Sequence, residues 1–156
     1  MFKNTTDNDT KKVHLVELDH LNYLAILVAA LVANVIGAVW FSPKAFFPVW
    51  WKLIGKTPEQ QPGSSNMAYV FGMTFLGVLG YTFGLALVLE VITVAHGSLS
   101  VGTGALVGAA LGLLIGGGAS LSHRMFAGQG FKVWLLEIGN DVVALAVVGA
   151  ILAAWP

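Results

Sequence analysis

The stretch FKVWLLEIGNDVVALAVVGAILAAW, residues 131–155, decides the class of this protein. A helix needs about 20 predominantly apolar residues to cross the hydrocarbon core of a bilayer, and this run is long enough. It nevertheless carries Glu137, Asn140 and Asp141. Residues three and four apart are neighbours on a helix, so these three side chains form one polar cluster within a predicted membrane span.

The polar cluster lies at an unfavourable depth for charge. Asp141 is roughly eleven residues into the run, close to the middle of the bilayer, whereas Glu137 lies nearer its surface. Carboxylates at such depth cost several kcal/mol unless they are paired, neutralised or hydrated. Two neighbouring carboxylates do not both ionise easily in a low dielectric, so we expect at least one of them to be protonated at neutral pH.

The composition of the whole chain indicates a membrane protein. Of its 156 residues 56% are hydrophobic and 10% are charged, and the mean hydropathy is +0.79. The net charge is zero, so no nucleic-acid partner is indicated. The absence of cysteine excludes disulfides, thiolate nucleophiles and Cys-ligated metal centres. The four histidines have no ligand-like spacing and no Ser or Thr is paired with a base, so we predict no metal, cofactor or catalytic residue.

Four runs of the chain are long enough to span a bilayer, and they predict an all-α polytopic membrane protein. The spans cover residues of about 21–41, 67–94, 101–121 and 131–155. Residues 1–20 are charged and lack an apolar core, so we interpret them as a polar N-terminal tail and not as a cleavable signal peptide. Residues 21–156 are predicted to form one four-helix transmembrane domain.

The basic residues between the spans predict the orientation. Five of the eight lie in the first and third links, three lie in the tail, and the second link has none. Cytoplasmic loops carry an excess of Lys and Arg. The pattern therefore predicts that the first and third links are cytoplasmic and that both termini are outside.

The first link contains a predicted amphipathic helix over residues of about 43–56. At about 100° per residue its apolar side chains gather on one side and its lysines on the other. Such a helix lies in the membrane interface, with its aromatic rings at headgroup depth. We predict an interfacial anchor, with the docking of a lipid or a partner as the alternative. The anchor residues, including the last tryptophan of the first span, are Trp40, Lys44, Phe46, Phe47, Trp50, Trp51, Lys52 and Lys56.

The third span carries a small residue at every fourth position. The row is Gly104, Gly108, Gly112, Gly116 and Ser120. Such a glycine zipper lets two helix backbones approach closely, which takes the place of a hydrophobic driving force in lipid. Gly77, Gly80 and Gly84 of the second span offer a matching small-residue surface, either within the monomer or across an oligomer interface.

Two interpretations of the polar cluster remain open. The favoured one is a proton-holding clasp between helices, because the cluster has no basic partner and interhelical polar contacts of about 0.6 kcal/mol are common in membranes. Asn34 of the first span is in range to hydrogen-bond to Asp141 if the two spans are neighbours. The alternative is a relay for protons or cations.

Several motifs resemble those of a known family. They are NYLA at 22–25, GAVWFSP at 37–43, WW at 50–51, LIG at 53–55 and TPE at 57–59. Together they resemble the small four-span bacterial membrane proteins of domain of unknown function family 1761, over residues of about 21–155. The resemblance implies four helices and a bacterial inner-membrane location. It implies no activity and no catalytic residue.

These observations leave two functional hypotheses. The favoured one is a non-enzymatic packing or accessory subunit of a membrane assembly or homo-oligomer, with membrane lipids and other membrane subunits or itself as partners. The glycine row and the short links support it. The alternative is a small proton, cation or solute transporter or channel subunit that uses Glu137 and Asp141.

Overall fold

Helices account for all the regular secondary structure in the described part of the protein. The computed structural model describes residues 18–60 and 66–156. Its α-helices are α1 Tyr23–Trp40, α2 Phe47–Leu53, α3 Met67–His96, α4 Val101–Leu111, α5 Gly118–Phe126 and α6 Phe131–Ala154. A π-helix over Gly112–Gly117 joins α4 to α5. Most of the predicted polar tail, residues 1–17, lies outside the described residues.

Four helical segments are long and apolar enough to cross a membrane, which confirms the predicted polytopic fold. They are Tyr23–Trp40, Met67–His96, Val101–Phe126 and Phe131–Ala154. Three agree with the predicted spans to within two residues at each end. The third continues beyond residue 121 to Phe126, because the helix persists through a polar turn that contains Arg124.

The first three spans each begin at a capping side chain. Asn22, Asn66 and Ser100 accept hydrogen bonds from backbone N–H groups three residues further on. These bonds satisfy amide groups that have no partner in the first turn of a helix. The fourth span begins instead after Gly130, whose φ of 81° reverses the chain between α5 and α6.

The fourth span, α6, is the central helix of the bundle. It packs against α1 and α4 and also contacts α3, which lies mainly against α1. The contact between α1 and the bundle is close because Ala25 and Ala29 are fully buried. They belong to a core that includes Leu85 of α3 and Val148 of α6. This arrangement places the first turns of α6 beside both α2 and α5.

The interfacial helix is shorter than predicted. The helix α2 covers Phe47–Leu53, whereas the residues before it form turns closed by a hydrogen bond from the Phe46 N–H to the Trp40 carbonyl. Pro48 lies in the first turn of α2, where its missing N–H removes no helical hydrogen bond. Lys44 therefore belongs to the preceding turn and not to the helix.

The first turns of α3, before Val78, stand apart from the described bundle. All the buried residues of α3 lie at or after Thr82. Tyr69, Phe71 and Leu76 of the first half are each more than half exposed. The second span is therefore packed within the monomer over only part of its length.

Candidate functional site

An ion pair joins the start of α6 to the end of the third span. The Nε atom of Arg124 lies 2.6 Å from Oε2 of Glu137. The indole Nε1–H of Trp50 donates to Oε1 of the same carboxylate at 3.0 Å. Arg124 also donates to the side chain of Gln129 at 2.8 Å. Both carboxylate oxygens of Glu137 are therefore engaged, and the three elements α2, α5 and α6 meet at one group.

The prediction that the polar cluster lacks a basic partner is wrong. Arg124 lies thirteen residues before Glu137 in the chain, outside the predicted spans. The turn between α5 and α6 brings the two side chains together, and it depends on Gly128 and Gly130, whose φ angles are 71° and 81°. These left-handed conformations are readily adopted only by glycine. The guanidinium supplies the counter-charge that a carboxylate near the membrane requires.

Asp141 takes no part in this ion pair. Its side chain is exposed at the surface of the bundle, and the Asn140 amide donates to its Oδ1 at 3.2 Å. It lies within electrostatic range of Tyr81 on α3. The Oδ1 atom of Asn140 is buried and accepts no hydrogen bond from the described residues. The two carboxylates of the cluster thus bind different partners, and within the described residues Glu137 is the one that forms an ion pair.

The predicted hydrogen bond between Asn34 and Asp141 does not form in this structure. The helices α1 and α6 are neighbours, as the prediction required. The Asn34 amide donates instead to the Ala30 carbonyl of its own helix at 2.9 Å, a local bond that an amide side chain can form within a helix. One residue of α1 that does lie near the cluster is Gly37, where an added Cβ would lie 3.9 Å from Oδ1 of Asn140.

The predicted interfacial tryptophans also bind within the protein. Trp40 donates from Nε1 to the Leu136 carbonyl at 3.1 Å and so links α1 to α6. Trp51 is buried and donates to the Thr57 carbonyl at 2.8 Å. The N–H group of a buried or half-buried indole usually donates a hydrogen bond. A tryptophan in the sequence therefore predicts that some acceptor lies nearby. The sequence does not indicate which acceptor each indole finds.

The glycine row of the third span packs mainly on α6 and not on the glycines of α3. A Cβ added at Gly104 would overlap the carbonyl of Gly149, and one added at Gly108 would overlap that of Leu145. One added at Gly112 would lie 3.0 Å from Cδ1 of Leu145. These three glycines therefore form a seam at which the backbones of α4 and α6 are in direct contact.

The π-helix ends the seam. The prediction that Gly116 belongs to the seam is wrong, because an added Cβ at Gly116 would meet no atom within 4 Å. A π turn contains an extra residue, which shifts the residues that follow it around the helix. Gly117 takes the place of Gly116 and packs against Ile138. The Gly117 carbonyl accepts hydrogen bonds from the Trp134 indole at 3.0 Å and from the Ser120 hydroxyl at 3.3 Å. Ser120, the last member of the row, therefore bonds to the end of the π-helix.

The small-residue surface of α3 has no partner within the described monomer. A Cβ added at Gly77, Gly80 or Gly84 would meet no atom within 4 Å. At about 100° per residue these three glycines lie within about 60° of one another on α3, on a different side from the buried Leu85 and Leu89. Among the described residues, therefore, no helix packs on these three glycines.

The described residues contain no group of three or more His, Asp or Glu side chains that is placed to hold a metal ion.

A family model described as "Protein of unknown function (DUF1761)" matches residues 24–153 of the chain. No curated protein and no solved structure matches it.

Proposed function

The chain belongs to the family DUF1761, a family of proteins of unknown function. From the way its helices pack, we propose that it is a non-enzymatic packing subunit of a membrane assembly. The assembly is a homo-oligomer that forms through the glycine surface of α3, defined by Gly77, Gly80 and Gly84. The proposal concerns contacts between membrane helices and requires no catalytic residue.

The glycine surface of α3 is the observation that carries the proposal. In lipid, small residues on a helix surface favour the close approach of a second helix. The corresponding glycines of α4 already meet α6 within the monomer, whereas those of α3 face open space. The exposed apolar residues of the first half of α3 extend this unpartnered surface. A second copy of the chain supplies a helix of matching shape.

Asp141 supports the same proposal. Its carboxylate is exposed near the middle of a membrane span and lies on the side of α6 that approaches Tyr81 of α3. A carboxylate that faced acyl chains would be strongly unfavourable. Association on the α3 side of the bundle would replace those acyl chains by protein.

Cross-linking within the membrane tests the assembly. The chain has no cysteine, so Met73→Cys and Val91→Cys each introduce a single thiol. Both exposed positions lie on the same side of α3 as the glycine surface, and neither change adds a side chain to a glycine. We expect both variants to form cross-linked dimers with a short bifunctional thiol reagent. Leu114→Cys is the matched control because Leu114 is 73% exposed on the third span. We expect it to give no cross-linked dimer, and equal cross-linking at all three positions would contradict the proposal.

The alternative, a proton transporter, is favoured by one observation, the exposed carboxylate of Asp141. Asp141→Asn preserves the shape of the side chain and removes its charge. We expect liposomes that contain either the parent protein or this variant to show the proton flux of empty liposomes. If the parent conducts protons and Asp141→Asn abolishes that flux without loss of cross-linking, the transporter is correct and the packing subunit is wrong.

We further propose a bacterial inner-membrane location, which the family resemblance implies. We propose that both termini are outside, because five of the eight basic residues lie in the first and third links. Single cysteines at the exposed positions Glu59, Ser98 and Ala127 sample the three links. In intact cells a membrane-impermeant thiol reagent is expected to label Ser98→Cys. Glu59→Cys and Ala127→Cys are expected to react only after the cells are opened. The reverse pattern would invert the orientation.

A further inference from the structure

A groove lies between α2 and the segment that follows it. Its cavity volume is about 700 Å³. Phe47 and Trp51 of α2 and Pro58 of the following segment contribute apolar surface, and Lys52 and Lys56 contribute two ammonium groups. None of the residues that line the groove is acidic. We refer to this cavity as the α2 groove.

The end of α2 shapes the α2 groove. The Gly55 N–H donates to the Lys52 carbonyl at 3.0 Å, and the Lys56 N–H donates to the Trp51 carbonyl at 3.1 Å. These two bonds form a Schellman motif, which requires the left-handed conformation that Gly55 adopts with a φ of 80°. The hydrogen bond from the Trp51 indole to the Thr57 carbonyl then holds the following segment against the helix.

The α2 groove combines an apolar wall with unpaired positive charge. The rings of Phe47 and Trp51 stack with centroids 5.3 Å apart and an interplanar angle of 22°. Lys52 and Lys56 are exposed and form no ion pair within the described residues. The nearby Glu59 is fully exposed, and a hydrogen bond from Thr57 holds its pKa below the usual value. The groove therefore carries a net positive charge beside an aromatic surface.

The position of α2 determines which ligand meets these groups. The helix connects two membrane spans and carries an aromatic surface, so it lies at the level of the lipid headgroups. We propose that the α2 groove binds one anionic phospholipid of the surrounding bilayer, with its phosphate between Lys52 and Lys56 and an acyl chain against Phe47 and Trp51. A free phosphate could bind to the two lysines, but it has no acyl chain that would pack against Phe47 and Trp51.

Native mass spectrometry of the full chain in mild detergent tests the lipid site. The probes are dioleoylphosphatidylglycerol, which is anionic, and dioleoylphosphatidylcholine, which has no net charge. We expect Lys52→Gln with Lys56→Gln to lower the affinity for phosphatidylglycerol about tenfold, because each lysine near a membrane surface contributes to the binding of anionic lipid. Lys44→Gln is the matched control, since Lys44 is equally exposed but does not line the groove, and we expect its affinity to match that of the parent.

Two further arms separate the groove from a bare patch of positive charge. Phe47→Ala keeps both lysines and removes part of the wall, and we expect it to lower the affinity for phosphatidylglycerol at least threefold. We expect inorganic phosphate to leave the bound lipid in place. An equal loss with Lys44→Gln, equal binding of phosphatidylcholine, an unchanged affinity in Phe47→Ala or displacement by inorganic phosphate would each overturn the proposal.

Discussion

Gly108→Ala is expected to destabilise the protein by about 3 kcal/mol, because it introduces a methyl group where two helix backbones touch. The new Cβ would overlap the carbonyl of Leu145 and would lie 3.2 Å from Cδ2 of Leu85. The carbonyl belongs to the backbone of α6 and has no alternative rotamer, so α4 and α6 must separate. Thermal unfolding in mild detergent, monitored by tryptophan fluorescence, measures this loss of stability.

Gly116→Ala is the matched control for this result. It is the same substitution in the same span, eight residues further along the chain, and its Cβ would meet no atom within 4 Å. Alanine is the better helix former by about 1 kcal/mol, so the stability of this variant should be unchanged or slightly raised. If Gly108→Ala proved as stable as Gly116→Ala, the direct contact between the backbones of α4 and α6 would be wrong.

Glu137→Ala is expected to destabilise the protein by about 2 kcal/mol, because it leaves both Arg124 and the Trp50 indole without their acceptor. The side chains of Arg124 and Glu137 are 39% and 20% exposed, so water screens the pair and the loss is smaller than for a fully buried ion pair. The free energy of unfolding in denaturant measures the change.

A double-mutant cycle isolates the ion pair itself. Arg124→Ala removes the other partner, and the loss in the double variant should be smaller than the sum of the two single losses by about 1 kcal/mol. Lys132→Ala is the matched control, since Lys132 is an exposed charge in the first turn of α6. Its removal should change stability by less than about 0.5 kcal/mol. Strictly additive losses for Arg124 and Glu137 would show that the two side chains do not interact.

The candidate site was only partly predictable from the sequence. Glu137 and Asp141 are neighbours on any helix, so their proximity follows from their spacing alone. That spacing says nothing about the side chains opposite them. Glu137 meets Arg124 and the Trp50 indole, whereas Asp141 meets the Asn140 amide at the surface of the bundle. The two carboxylates therefore lie in two separate environments.

The contacts of the glycine row were also only partly predictable from the sequence. Its spacing predicted a seam of close contact between helices, and Gly104 and Gly108 form one. The identity of the partner helix depends on the order in which the spans surround α6, which no local pattern records. The π-helix carries Gly116 out of the seam and places Gly117 against Ile138, and the spacing of the glycines does not indicate it.

The sequence by itself determined the class of this protein, the four spans and most of their ends. The transfer of apolar side chains into lipid and the capping of free amide groups are local effects, and each is governed by a short stretch of chain. Only the tertiary structure decided that Arg124 neutralises Glu137, that α6 is the partner of the glycine seam, and that Asp141 and the glycine surface of α3 remain uncovered in the monomer. These outcomes depend on how the helices pack around α6, and in lipid that packing is governed by the close fit of facing surfaces and not by hydrophobicity.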